Sequence, residues 1–223
     1  MNYPINKKVV AIAISTAFCA VATSAYAEGW YVGAGVGNSH SGLGNSNVAS
    51  DAASVLGNAG YAVTGMTGDM SDRNATGLKF FAGTKINNYL TLEGQFQGLG
   101  KVKGQFTGTV DGPEGGYNTS GTSTYESVGL GIAAIGTLPI TKDLSAIGKL
   151  GLLHWRSTMA TSASVSDGST VYRSVKDNGN DAYYGLGLKY NFLPGAGLTL
   201  EWERSKIHSG NNDLFSANIV FGF

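Results

Sequence analysis

The sequence predicts an all-β fold: an eight-stranded antiparallel up-and-down transmembrane β-barrel, with short turns at one end and long loops at the other. Three observations carry that prediction. Apolar residues recur at every second position in eight separate segments, the period of a strand whose two faces meet different media. The chain holds 34 glycines, 4 prolines and only 13% charged residues, whereas a soluble globule carries about 25% charge. Beyond the N-terminal stretch no segment stays apolar for the ~20 residues a spanning helix needs, so passage through a membrane falls to strands.

The first 27 residues read as a leader. Lys7 and Lys8 precede an apolar run from Val9 to about Thr23, and Ala25-Tyr26-Ala27 closes it. A basic start, a short apolar run and an A-x-A site form a secretory signal peptide. Cleavage is expected after Ala27, leaving residues 28–223 as one barrel domain exported to the outer membrane. Cleavage also removes Cys19, the only cysteine, so no disulfide or thiol chemistry is expected in the mature chain. The loss of two lysines leaves a slight acidic excess, which gives no electrostatic footing for nucleic acid.

The strands follow in order. In GWYVGAGVG, Trp30, Val32, Ala34 and Val36 oppose Tyr31, Gly33, Gly35 and Gly37. GLKFFAGTKI sets Leu78, Phe80, Ala82 and Ile86 against Lys79, Phe81, Gly83 and Lys85. YLTLEGQFQG sets Leu90, Leu92 and Phe96 against Thr91, Glu93, Gln95 and Gln97. YESVGLGIAAIGTL separates Val128, Leu130, Ile132, Ala134 and Leu138 from small residues. In LSAIGKLGLLHWRS, Leu150, Leu152 and His154 oppose Lys149, Gly151 and Trp155. AYYGLGLKYNF aligns Tyr184, Leu186, Leu188, Tyr190 and Phe192 against Tyr183, Gly185, Gly187 and Lys189. GLTLEWERS parts Leu198, Leu200 and Trp202 from Thr199, Glu201 and Glu203. The last, LFSANIVFGF, puts Phe215, Ala217, Ile219, Phe221 and Phe223 on one face.

The links alternate too. Asn87-Asn88, Pro139 to Asp143 and Leu193 to Ala196 make short turns, while 38–76, 99–123, 157–181 and 205–213 are long polar connections. Within them, Asp177 to Asp181 reads as a polar turn. Such a meander has two unlike ends.

Glycine decides which face is wet. One face is repeatedly Gly, Ala, Ser or Thr; the other is Leu, Val, Ile, Phe or Trp. Eight strands enclose a narrow lumen, so the small face points in. A full belt of large apolar groups is tolerable outside only in lipid. The charges agree. Lys79, Lys85, Glu93, Lys149, Lys189, Glu201 and Glu203 fall on the inward face, where both signs are present and can pair. We read them as a lumen charge network serving packing and register. Trp30, Tyr89, Phe192 and Phe223 near the short turns, and Tyr125, Trp202 and Phe215 towards the long loops, suit two interfacial aromatic belts.

In this arrangement the chain resembles the OmpA-like eight-stranded outer-membrane barrels of Gram-negative bacteria. The stretches that carry the resemblance are EGWYVGAGVGNS, TGLKFFAGTKINNYLTLEGQFQGLGK, LPITKDLSAIGKLGLLHWRS, YYGLGLKYNFLPGAGLTLEWERS and FSANIVFGF. The resemblance implies that the short turns are periplasmic and the long loops extracellular. It implies that Phe215, Ile219, Phe221 and Phe223 form the C-terminal signal read by the barrel assembly machinery. It also places Glu93, Lys149 and Lys189 at positions like those of the family's interior salt-bridge cluster. Thr199 stands where the family often carries a basic residue on the seventh strand, so the same gating pair is not implied.

Other chemistry is thin. His208-Ser209 beside Glu201 and Glu203 distantly resembles the outer-membrane lipid A deacylases, but adjacent residues of a strand face opposite ways. Gly33 to Gly37 opens no helix and is no nucleotide loop. His40, His154 and His208 are too scattered for a metal site. No cofactor is expected and no enzymatic activity. The expected partners are outer-membrane lipid and lipopolysaccharide, the assembly machinery, and a host or surface ligand met through 38–76, 99–123 and 157–181. The expected role is structural and surface-displaying, with room for a narrow porin-like pore; the alternatives are a lipid A deacylase-like hydrolase using His208 and Ser209, and a surface adhesin or immune-evasion protein acting through its extracellular loops.

Overall fold

A computed structural model describes residues 29–112, 115–208 and 210–222. The expected cleavage after Ala27, Ser209 and the terminal Phe223 lie outside the described residues. The elements are β1 (Trp30–Ser41), α1 (Asn45–Asn58), β2 (Ala62–Asp72), β3 (Asn74–Lys85), β4 (Leu90–Gly112), β5 (Gly115–Pro139), β6 (Leu144–Val165), β7 (Thr170–Leu193), β8 (Ala196–Ile207) and β9 (Gly210–Gly222). Every strand except β2 takes part in a closed antiparallel ring of eight. Each pairs with the next along the chain, and β1 joins β3 on one side and β9 on the other. Closure leaves no free sheet edge at membrane depth, where an unpaired backbone group would cost several kcal/mol.

Side-chain alternation follows the ring. Leu130, Ile132, Leu150, Leu152, Leu186 and Leu200 stand exposed on the outer face. Lys79, Glu93, Gln95, Gln97, Lys149, Thr199, Glu201, Glu203 and Asn218 are buried within. Trp30, Tyr89, Phe192 and Phe215 are exposed at the two margins of this belt. Tyr125 is not: it is buried and turned inward, where its hydroxyl donates to Asp51 at 2.8 Å.

The long connections depart from the sequence reading. Residues 99–123 and 157–181 are continuations of the barrel hairpins, not loops: β4 pairs with β5 up to Gly112 opposite Gly115, and β6 with β7 up to Ser164 opposite Thr170. Asp177 to Asp181 accordingly lie in β7 rather than in a turn. Residues 38–76 contain α1 and the extra strand β2, which pairs with the distal half of β4, and 205–213 is little more than the β8–β9 turn. Above the lipid belt the outer face meets water, so Ser, Thr and Gly fill it and the strand signal fades into what resembles loop composition.

A bulge at Gly98 to Lys101 marks the transition in β4. Gly100 adopts φ 72° there, a left-handed conformation that glycine alone takes at little cost. One extra residue reverses the parity of the strand. Below the bulge Thr91, Glu93, Gln95 and Gln97 are buried; above it Val102, Phe106 and Val110 are. The polar interior thus gives way to an apolar one as the outer face turns from apolar to polar.

That distal apolar face receives α1. Val48, Ala52, Val55 and Leu56 fall at helical spacing on one stripe and pack with Met70, Val102, Phe106, Val110, Met159, Ala163 and Val165. Close approach needs Gly104, where a Cβ would sit 2.6 Å from Val48 Cγ2. The helix starts where the Gly44 amide donates to the Asn47 side chain at 2.8 Å. Because β1, β8 and β9 end early, β2, β4, β5, β6 and β7 form an open, curved sheet with α1 held against it.

Candidate functional site in the lumen

Four strands from separate parts of the chain, β3, β4, β6 and β8, bring the buried ions together. Register places Lys79 of β3 opposite Gln97 and Gly83 opposite Glu93, and the inward parity of β8 sets Glu201 two residues before Glu203. Lys79 Nζ lies 2.5 Å from Glu201 Oε2 and 3.0 Å from Glu203 Oε1. Lys149 Nζ, from β6, lies 2.7 Å from Glu93, 2.9 Å from Glu201 and 2.9 Å from Glu203. Two ammonium groups therefore hold three carboxylates in one cluster with almost no solvent contact.

Neutral donors extend the shell. Tyr31 donates to Glu93 at 2.8 Å, and Thr199 to Glu201 Oε1 at 2.8 Å. Asn218 donates to Thr199 at 2.9 Å and to Glu201 at 3.2 Å. Both ammonium groups also face the Phe81 ring, at 5.2 and 5.9 Å from its centre, a geometry in which the ring quadrupole attracts a cation. Glu203 Oε2 and Asn218 Oδ1 are buried without a hydrogen-bond partner among the described residues; such a buried ion cluster has little net stabilising effect but penalises any variant that removes a single member.

Of the seven sequence-selected charges, Lys79, Glu93, Lys149, Glu201 and Glu203 meet in this cluster. Lys85 and Lys189 do not. They share the inward parity but sit nearer the short turns, where they line a cavity of about 550 Å³ with Lys142 and Asp143. Lys189 Nζ lies 5.7 Å from the Tyr31 ring centre. Strand parity fixes the face of a residue but not its height, so the sequence had no means of separating these two lysines from the rest. Tyr31 and Asn218 were equally hidden, because neither residue type announces a buried-ion partner. Among the described residues no group of His, Cys, Asp and Glu is arranged to hold a metal ion.

His208 belongs to a second polar group, beneath α1. Its Nδ1 lies 3.0 Å from Asp177 Oδ2 and its Nε2 3.9 Å from Asp51 Oδ2, and its backbone has φ 53°. A cavity of about 210 Å³ opens beside it, lined also by Arg173, Met159 and Tyr125. The imidazole is turned into this chamber rather than towards the lipid face, where a lipid-hydrolysing residue would have to act. Asp51 and Asp177 left no sequence signal, since both fall in stretches read as loop or turn.

On the outer wall, Phe215, Ile219 and Phe221 are exposed on one face of β9. Just above them Arg204 donates to both oxygens of Asp213, at 2.7 and 2.8 Å, and Trp202 Nε1 donates to the same carboxylate at 3.1 Å. Lys206, Arg156, Lys101 and Lys103 are exposed at similar positions past the belt.

Comparison with known proteins agrees with this geometry. The family model described as the outer membrane protein beta-barrel domain matches residues 10–223. Outer membrane protein A of Salmonella typhi is 27% identical over 219 residues, covering 96% of this chain and 51% of that protein. Outer membrane protein A of Escherichia coli O157:H7 is 27% identical over 202 residues, covering 88% and 47%. The chain thus spans about half the length of the curated relatives it matches. Among solved structures, Neisserial surface protein A superposes with a TM-score of 0.51 at 13% identity, over 88% of this chain and 98% of that one.

Proposed function

We propose that this chain, which belongs to the outer membrane protein beta-barrel family and resides in the bacterial outer membrane, serves as a structural barrel that displays a folded platform at the cell surface. The observation that carries this reading is the filled lumen: five buried charges with their donors, and the buried side chains of Leu99, Leu153, Trp155 and Leu214, occupy the interior. The distal hairpins and α1 form the platform.

The remaining parts fit that role. The leader of residues 1–27 delivers the chain for export, and residues 28–223 form the barrel domain. The exposed apolar face of β9 through Phe221, together with Phe223 in the sequence, serves the assembly machinery. Arg156, Arg204, Lys206, Lys101 and Lys103 meet the anionic headgroups of lipopolysaccharide, since cations next to an apolar belt lie at headgroup height. The inward orientation of His208 argues for a non-enzymatic role.

Deletion of the gene should sensitise cells to detergent, and re-expression of the intact chain should restore resistance; unchanged sensitivity would refute the structural role. A second reading, surface ligand binding, is favoured by Tyr172, which is 71% exposed near the tip of the β6–β7 hairpin. Loss of whole-cell adhesion to host matrix on Tyr172→Ser would support it, and unchanged adhesion would count against it.

A further inference from the structure

We infer that the permeability barrier of the barrel is a dry apolar layer above the ion cluster, made by Leu99, Leu153, Trp155, Ile207 and Leu214, and not the salt bridges themselves. These side chains are contributed by β4, β6, β8 and β9 and pack as one buried cluster with Ala133 of β5 and Tyr183 of β7. Three glycines let them lie flat across the lumen against the remaining walls. A Cβ on Gly77 of β3 would meet Leu214 Cδ1 at 2.5 Å, one on Gly129 of β5 would meet Leu153 Cδ1 at 2.8 Å, and one on Gly179 of β7 would meet the Trp155 ring at 2.6 Å. The layer therefore reaches almost every strand of the ring.

Its surroundings are polar on both sides. Below it, a cavity of about 190 Å³ extends from the short-turn mouth past Lys85 and Lys189 to Glu93 and Glu201. Above it, Ser39, Ser41, Ser157 and Asn212 are buried, and the chamber beside His208 follows. A polar path interrupted by an apolar layer is a dewetting constriction: an ion entering it would lose hydration that the carbon groups do not replace, the Asp181 carboxylate beside it being engaged by the Trp155 indole at 2.8 Å. The ion cluster, by contrast, offers charged groups that rearrange at less cost.

This inference deepens the structural reading by naming what makes the barrel impermeable. It is tested by planar-bilayer recording on the mature chain, residues 28–223, with folding checked by heat-modifiable gel migration. The wild-type barrel and the cluster variant Glu93→Ala/Lys149→Ala should both give no discrete conductance steps. Adding Leu153→Ser and Leu214→Ser to that variant should produce them. Conductance from the cluster variant alone, or none from the fourfold variant, would overturn the inference. If the fourfold variant does not fold, the layer is tested alone. A cysteine replacing Gln97, just below it, should be labelled by a charged maleimide from the hairpin side only when Leu153 and Leu214 are serine. Labelling with both leucines intact, or none with both replaced, would overturn it equally. A deletion strain with normal detergent resistance would leave these results untouched, so the two readings fail separately.

Discussion

Replacing Lys149 by Met should destabilise the barrel by about 3–5 kcal/mol, the usual cost of removing one partner from a buried ion cluster. The wild-type ammonium is within 2.9 Å of three carboxylates, and its side chain is 2% exposed. Without it, Lys79 alone faces Glu201 and Glu203. Glu93 retains the Tyr31 hydroxyl but has no cation. The second substitution Glu93→Gln should restore most of the loss, because it returns the lumen to the wild-type charge balance and leaves Tyr31 an acceptor. Unfolding by urea in phospholipid vesicles, followed by fluorescence of Trp30, Trp155 and Trp202, gives both values in one double-mutant cycle. A single-variant loss below about 1 kcal/mol, against the 3–5 expected, would refute the reasoning. So would a double variant no more stable than the single.

Other perturbations act away from the cluster. Val48→Asp places a charge in the fully buried core under α1 and should release the helix; proteolysis should then cut within residues 42–61 while the heat-modifiable shift persists, and full protection would contradict the packing. Ile132→Lys puts a cation on the lipid face of β5, where the native side chain is 62% exposed, at a cost of about 2–4 kcal/mol near the midplane; insertion at wild-type yield and stability would contradict the orientation. Asp167, at the β6–β7 tip, accepts the Ser169 amide at 2.7 Å and the Tyr61 hydroxyl at 2.7 Å. These donors, the Ser169 amide foremost, hold its carboxyl below the ordinary aspartate value. A depressed carboxyl stabilises the folded form above the unfolded value and loses that contribution as pH falls through the folded one. Tyr61→Phe should therefore raise the Asp167 titration midpoint in carboxyl NMR, and an unmoved midpoint would contradict the contact.

The membrane-level ring was legible because lipid imposes a strict period of two: Leu130, Leu186 and Leu200 have to face out, and the glycines between them in. The same rule put Glu93, Lys149 and Glu201 on the inner face. It failed where lipid ends. Past Gly100 the inward residues are Val102, Phe106 and Val110 while Lys101 and Lys103 face out, so the face logic of the lower barrel no longer applied. Helix α1 was hidden because its apolar stripe of Val48, Ala52, Val55 and Leu56 is narrow, and Ser, Asn and Gly surround it. Its stability comes from the sheet beneath it rather than from propensity. The apolar layer was hidden for a related reason. Leu99, Leu153 and Leu214 are ordinary leucines on the inner face, and only the assembled ring shows that they meet across Gly77 and Gly129.

The orientation of the two faces underlies all of these conclusions, and β8 offers the most direct test of it. In the mature chain, residues 28–223, single cysteines replacing Leu198, Thr199, Leu200 and Glu201 are labelled with an environment-sensitive fluorophore in vesicles containing brominated lipid. Probes at 198 and 200 should be strongly quenched and those at 199 and 201 shielded. Quenching at 199 and 201 with protection at 198 and 200 would mean that the barrel is inside out relative to this description.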